Sequence, residues 1–182
     1  MMRPRPSRNP WIGTLPYALI AAGAVLRIVP HPPNLAPIGA IALFGGAVLP
    51  LPWGVAVPVA AVVLSDAVLG FYPGMLWVYA SFVLIALLGG TALGQRRTVL
   101  RVAATAVGAS VLFFIVTNFG EWLGPLYPHT LAGLRASYIA AIPFFRNTAL
   151  SDLGYSLALF GIYESALWLA RRTAPAPAHR TT

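Results

Sequence analysis

The chain has 182 residues, of which 58% are hydrophobic and only 9% charged, with a mean hydropathy of +0.77; soluble domains carry roughly 25% charged residues, so water is the wrong solvent for it. The net charge of +8 comes from twelve arginines and no lysine. Most of them cluster beside apolar stretches, a pattern of membrane topology rather than of nucleic-acid binding. The absence of cysteine excludes disulfides, thiolate metal sites and cysteine nucleophiles.

Taken in chain order, a basic N-terminal tail over residues 1–11 leads into an apolar run, Ile12–Val29. Arg27 interrupts that run near its far end and no small-x-small cleavage site follows, so it reads as a retained first span rather than a signal peptide. The next residues, Pro30-His31-Pro32-Pro33-Asn34, read as a tight turn. Further spans are expected near 36–49, 53–71, 75–93, 101–121 and 148–170, the second short enough to be tilted, broken or partly re-entrant. Between the last two, Leu126–Phe145 carries Tyr127, His129, Arg135 and Tyr138 among apolar residues. It reads as an interfacial helix, or alternatively as a shallow span that would change the count. Residues 173–182, with their Ala-Pro alternation, read as a disordered cytoplasmic tail. The expectation is therefore an all-α integral membrane protein with one transmembrane domain over 12–172 and about six helices.

Arginine placement gives an independent check on that count. Arg3, Arg5 and Arg8 precede the first span; Arg96, Arg97 and Arg101 follow the fourth; Arg171 and Arg172 follow the sixth. Six spans put all three clusters on one side, which the positive-inside rule makes cytoplasmic, with both termini inside. The outer turns, 31–34, 71–74 and 122–129, are rich in proline and aromatics and should form a semi-rigid rim. Small residues mark expected close approaches: Ala18 and Ala22, Gly39 with Gly45-Gly46, Gly89-Gly90, and Gly108.

A charge in hydrocarbon costs about 2.5–3.5 kcal/mol even on lenient scales, so each buried one needs a partner, a cavity or water. Under this topology Arg27, His31, Asp66, Asn118, Glu121, Arg146, Asn147 and Asp152 all fall toward the outer face, and Glu164 is the exception. Two readings remain open: Asp66–Arg146 and Asp152–Arg27 ion pairs that lock the bundle, or an outward-facing ligand pocket that uses some of the same residues. The binding candidates are His31, Asn34, Asp66, Tyr79, Asn118, Arg146, Asp152 and Tyr155. Arg146 is the expected anion contact because it opens span six, where a helix N-terminus adds its dipole. Tyr79 would offer its hydroxyl beside Asp66, and Tyr155 shares a helix face with Asp152. Glu164 could relay a proton, but is expected rather to cap Arg171 or Arg172 through snorkelling. No metalloprotease, nucleophile-elbow or phosphate-loop motif occurs. The chain thus reads as a non-enzyme with no catalytic residues, metal or cofactor, needing a partner, an ion gradient or ligand trapping to drive transport.

Four stretches carry a resemblance: RIVPHPPNLAPIGAIALFGGA at 27–47, LSDAVLGFYPGMLWVYASF at 64–82, LFFIVTNFGEWL at 112–123 and YPHTLAGLRASYIAAIPFFRNTALSDLGY at 127–155. Over about residues 15–170 the chain resembles a family of small bacterial transport proteins related to the S-components of energy-coupling-factor vitamin transporters. The resemblance implies a six-helix, inner-membrane, vitamin-binding bundle with an external site. It also implies an Ala-x-x-x-Ala face, here Ala18 and Ala22, that docks on a coupling transmembrane subunit with its ATPases. Solitary relatives import cobalamin and use a cysteine on cobalt; without one, this chain would need His31, Met75 or no protein ligand. The expected function is uptake of a vitamin or similar micronutrient, with the small-molecule ligand and the lipid bilayer as partners and no nucleic acid. Two rivals are a membrane enzyme acting on a lipid or isoprenoid, with Asp66, Glu121 or Asp152 as general acid or base, and a ligand-free assembly subunit.

Overall fold

The structure, a computed structural model, describes residues 10–173. Those residues form six helices and no strand: α1 (Pro10–Ile28), α2 (Ile38–Val48), α3 (Trp53–Leu69), α4 (Met75–Leu93), α5 (Val99–Leu123) and α6 (Leu131–Arg172). Arg3, Arg5, Arg8 and the tail from residue 174 onward lie outside the described residues. Four helices, α1, α4, α5 and α6, are long and apolar enough to cross a membrane, while α2 and α3 are shorter apolar helices. By length and composition the chain is a multi-pass membrane protein.

The centre of the bundle is α2. Its 11 residues rise only about 16 Å, half of a ~30 Å hydrocarbon core. Every residue from Gly39 to Ala47 is buried, because α1, α3, α4, α5 and α6 all pack on it. A helix hydrophobic all round suits that position and no other. Glycines let the neighbours come close: a Cβ on Gly46 would overlap the Ala86 carbonyl of α4, and one on Gly89 would overlap the Leu43 carbonyl of α2. Gly45 likewise has Pro58 of α3 against it. Gly108 departs from expectation, since it has open space around it and marks no close approach.

Local capping defines the later helices. The Thr98 hydroxyl accepts from Arg101 N at 3.4 Å and starts α5; Thr130 accepts from Gly133 N at 3.2 Å and starts α6. From there α6 runs 42 residues without a break, about 63 Å, which corrects the expected division into an interfacial helix at 126–145 and a separate span at 148–170. No glycine or cap separates the two parts, and Pro143 sits inside the helix, where it removes one rung of the hydrogen-bond ladder without ending it. Along α5, the nine residues from Ser110 to Asn118 face sixteen of α6, from Ser137 to Asp152. Straight antiparallel helices would match residue for residue, so α6 runs oblique to α5 or bends in this interval, where Pro143 lies.

Arg97 organises one end of the bundle. Its Nη2 donates to Ala47 O at 3.2 Å and its Nε to Leu93 O at 3.2 Å, so one guanidinium satisfies terminal carbonyls of both α2 and α4. The same group pairs with Glu164 of α6 at 2.9 Å and sits over the Tyr163 ring. Glu164 therefore pairs with Arg97, not with the expected Arg171 or Arg172. Arg97→Ala should cost about 1–3 kcal/mol, read as a lower unfolding midpoint in a detergent titration, while Arg171→Ala on the exposed helix end should change it little.

Candidate functional site

The polar residues expected at one face divide into two separate clusters. The first joins α1, α3 and α4. Arg27 Nη2 lies 2.6 Å from Asp66 Oδ1, and Arg27 Nη1 donates to Ser65 Oγ at 2.5 Å and to Val62 O at 3.2 Å. On the other side of the carboxylate, the Tyr79 hydroxyl donates to Asp66 Oδ2 at 2.8 Å. Asp66 is fully buried and Arg27 nearly so; the two charges offset each other, and fixed hydroxyl and carbonyl groups take up the rest of the guanidinium and the second carboxylate oxygen. Tyr72, in the turn above, has its phenol raised above the usual range by burial and then by the Asp66 charge, with Arg27 opposing.

The second cluster joins α2, α5 and α6, and begins in the turn before α2. Leu35 N donates to Pro32 O at 3.1 Å and Asn34 has φ +60°. That places Pro33 and Asn34 at the two central positions of a tight turn, where a proline followed by a residue tolerant of positive φ is favoured. From α6, Asn147 Nδ2 donates to Pro33 O at 2.9 Å and Ser151 Oγ to Ala36 O at 2.7 Å. One turn of α6 thus holds the Pro-rich segment in place. The adjacent face of the same helix turns Thr148 and Asp152 into a cleft beneath it.

Asp152 lies at the bottom of that cleft, 3% exposed. Ser110 of α5 donates to its Oδ2 at 2.7 Å, and its Oδ1 faces Gly39, where a Cβ would overlap it. No arginine pairs with it among the described residues. The walls are Asn34 and Ala36 of the turn, Ile38 of α2, Phe82 of α4 and Phe113 of α5, around a cavity of about 60 Å³. Phe82 and Phe113 stack at 5.5 Å between ring centroids. A second cavity of about 210 Å³ shares Asn34, Phe113 and Thr148 with the first and continues to Asn118, Phe144 and Phe145. Asp152 is twelve residues from Glu164, about 18 Å along the helix from the Arg97 end. The carboxylate is thus deep in the bundle rather than at its outer rim.

The two ion pairs expected from sequence, Asp66–Arg146 and Asp152–Arg27, are not formed: Arg27 pairs with Asp66, and Asp152 with a serine. Arg146 is exposed in the middle of α6, so the helix N-terminus assigned to it does not exist. Asp66 and Tyr79 come together as expected, but in the buried network and not in the cleft. Asn34, Asn118 and Asp152 line the two adjoining cavities, although the Asn118 amide is engaged with Phe114 O at 2.8 Å. Tyr155 packs against the apolar core. His31 is exposed in the turn, and Ala18 and Ala22 are exposed on α1. The Met75 sulfur accepts from the Tyr79 hydroxyl at 3.8 Å. At the rim, Trp122 Nε1 donates to Pro128 O at 3.1 Å and the His129 ring lies 3.3 Å from Gly124 O, which gives the 122–129 turn the stiffness its prolines suggest.

The family model DUF6580, a family of unknown function, matches residues 8–176. The chain belongs to DUF6580. No curated protein and no solved structure matches it. The DUF6580 match takes in all six helices, so the Arg27 network and the Asp152 cleft both lie within the family's domain. Several cleft residues of this DUF6580 chain carried no signal of their own in the sequence. Ser110, Phe82, Phe113 and Thr148 are ordinary residues of apolar helices, and only their convergence on Asp152 gives them a role.

Proposed function

We propose that this protein is a substrate-binding transport protein of the bacterial inner membrane, with six crossings and both termini inside. In this reading it captures a small micronutrient, vitamin-like in size, in the cleft above Asp152. The observation that carries the reading is the cleft itself: a buried carboxylate, unpaired with any arginine, beneath a pinned Pro-rich turn and between aromatic walls. Ligand sites are concave and mostly apolar with a few placed polar groups, and an ionisable residue deep in a membrane bundle is by default a functional one. The cleft is on the side of the bundle away from Arg97, which under the positive-inside rule is the outer side. The resemblance to S-components points the same way, and exposed Ala18 and Ala22 suit the docking of a coupling subunit.

Cavity volume bears on the ligand. Both cavities are below the ~300 Å³ at which pockets for drug-sized ligands begin, which favours a compact solute over a corrinoid. The locking role weighed against a pocket fits the other cluster, where Arg27, Asp66 and Tyr79 satisfy one another across α1, α3 and α4. Mass spectrometry of small molecules co-purifying with the detergent-solubilised protein tests the reading. Wild type should carry a solute that Thr148→Phe, which fills the junction of the two cavities, loses without change in helicity or melting. A Thr148→Phe protein that keeps the same solute would rule the cleft out.

A further inference from the structure

Resting on that reading, we infer that the cleft selects a compact organic cation: an ammonium-type head against Asp152 and a small apolar or aromatic body between the phenylalanines. Asp152 is the one charged side chain lining either cavity. Arg27, which the sequence paired with Asp152, is on Asp66, and Arg146, the expected anion contact, is on the exposed side of α6. An anionic ligand would therefore meet a carboxylate with no guanidinium to offset it.

One feature opposes this polarity, and its size can be compared. The N-terminus of α2 abuts Asp152 through Gly39, and a helix N-terminus carries the equivalent of roughly +0.5 charge. Against Asp152 in its ionised form, which a bound cation would itself favour, that leaves the site net negative. Ser110 occupies Oδ2 with a neutral hydroxyl, and no protein donor reaches Oδ1 among the described residues, so that oxygen remains free for a ligand N–H. The walls add to the preference. Phe113 borders both cavities, Phe82 stacks on it, and Phe144 and Phe145 border the outer one; ring faces attract cations at close range. A bare metal ion fits less well. Oxygen donors at the floor are few, and no group of three His, Cys, Asp or Glu gathers among the described residues, whereas hard cations take six or more oxygen ligands.

A charge series of one shape tests the inference: benzylammonium, benzyl alcohol and benzoate, titrated calorimetrically into the full-length protein in detergent. Benzylammonium should bind about tenfold or more tighter than benzyl alcohol, the range of a close buried charge pair, and benzoate should not bind. Asp152→Asn, checked for intact helicity, should abolish the difference between benzylammonium and benzyl alcohol. Equal or tighter binding of benzyl alcohol or benzoate to wild type overturns the cation inference and leaves the small-solute reading standing, as does an Asp152→Asn protein that keeps the full preference. If no probe binds, the co-purified solute decides. One that is cationic and lost in Thr148→Phe upholds the inference, one that is neutral or anionic overturns it, and none at all overturns both readings.

Discussion

Gly46→Ala lowers the stability of the folded bundle by about 3 kcal/mol or more, at the upper end of the usual cost of overpacking, although it adds a single methyl group. The added carbon would meet the carbonyl, carbonyl carbon and Cα of Ala86. All three are backbone, so no side chain can rotate away and α4 must withdraw along its length. Because α4 and α2 also meet at Gly89 and Gly90, the withdrawal opens the whole crossing. The control is Gly154→Ala, on the exposed side of α6 with open space around it. There alanine should be neutral or stabilising by up to about 1 kcal/mol through helix propensity. Unfolding titrations of the two variants in the same detergent should shift in opposite directions or leave Gly154→Ala unmoved; a similar loss in both would mean that the α2–α4 crossing is not the constraint.

The second large effect concerns the Arg27–Asp66 pair. Asp66→Ala leaves a buried guanidinium without its counter-charge and should cost about 3–5 kcal/mol, whereas replacing both members with apolar residues of similar volume, Arg27→Met with Asp66→Leu, should recover most of that loss. Tyr79→Phe removes one hydrogen bond to the same carboxylate and should cost only about 1–2 kcal/mol. The diagnostic is the comparison among the three. If the pair is purely a lock, the double variant should still retain the co-purifying solute. If solute is lost while the double variant stays folded, Asp66 belongs to the binding apparatus after all.

How much of this was legible in the sequence differs from element to element. The helices themselves were: apolar runs bounded by Pro-Gly and Arg clusters gave α3, α4 and α5 to within a few residues, because length, hydropathy and turn chemistry act locally. Glycines 45–46 and 89–90 marked close approaches correctly, since only glycine lets two backbones come so near; which helix each would meet was not marked, and Gly45 faces α3 while Gly46, Gly89 and Gly90 form the α2–α4 crossing. Partner choice was not legible. Arg27 and Arg146 are the same residue type at the same apparent depth. What decides between them for Asp66 is which helix lies beside α3: α1 packs against it and α6 does not. The continuity of α6 was hidden for a different reason: Pro143, Arg146 and Asn147 resemble a helix boundary, yet Asn147 is spent on holding the 33–36 turn. Asp152 was picked out because charge in hydrocarbon is rare. The serine and phenylalanines around it were not, because they look the same whether they face lipid, core or a ligand.

The burial of α2 has a consequence for how the molecule is made. A segment of eleven apolar residues is too short to be held in the bilayer by its own hydrophobicity, and in the finished protein it has almost no surface left for lipid. It cannot rest in the membrane as an independent stage and wait for its neighbours. Biogenesis must deliver it together with α3, its partner across the short 49–52 turn, into a groove that α1, and later α4 to α6, close from outside. The centre of the bundle is thus completed by the last helices to leave the ribosome, and the Asp152 cleft, built on α6, forms only when the chain is nearly finished.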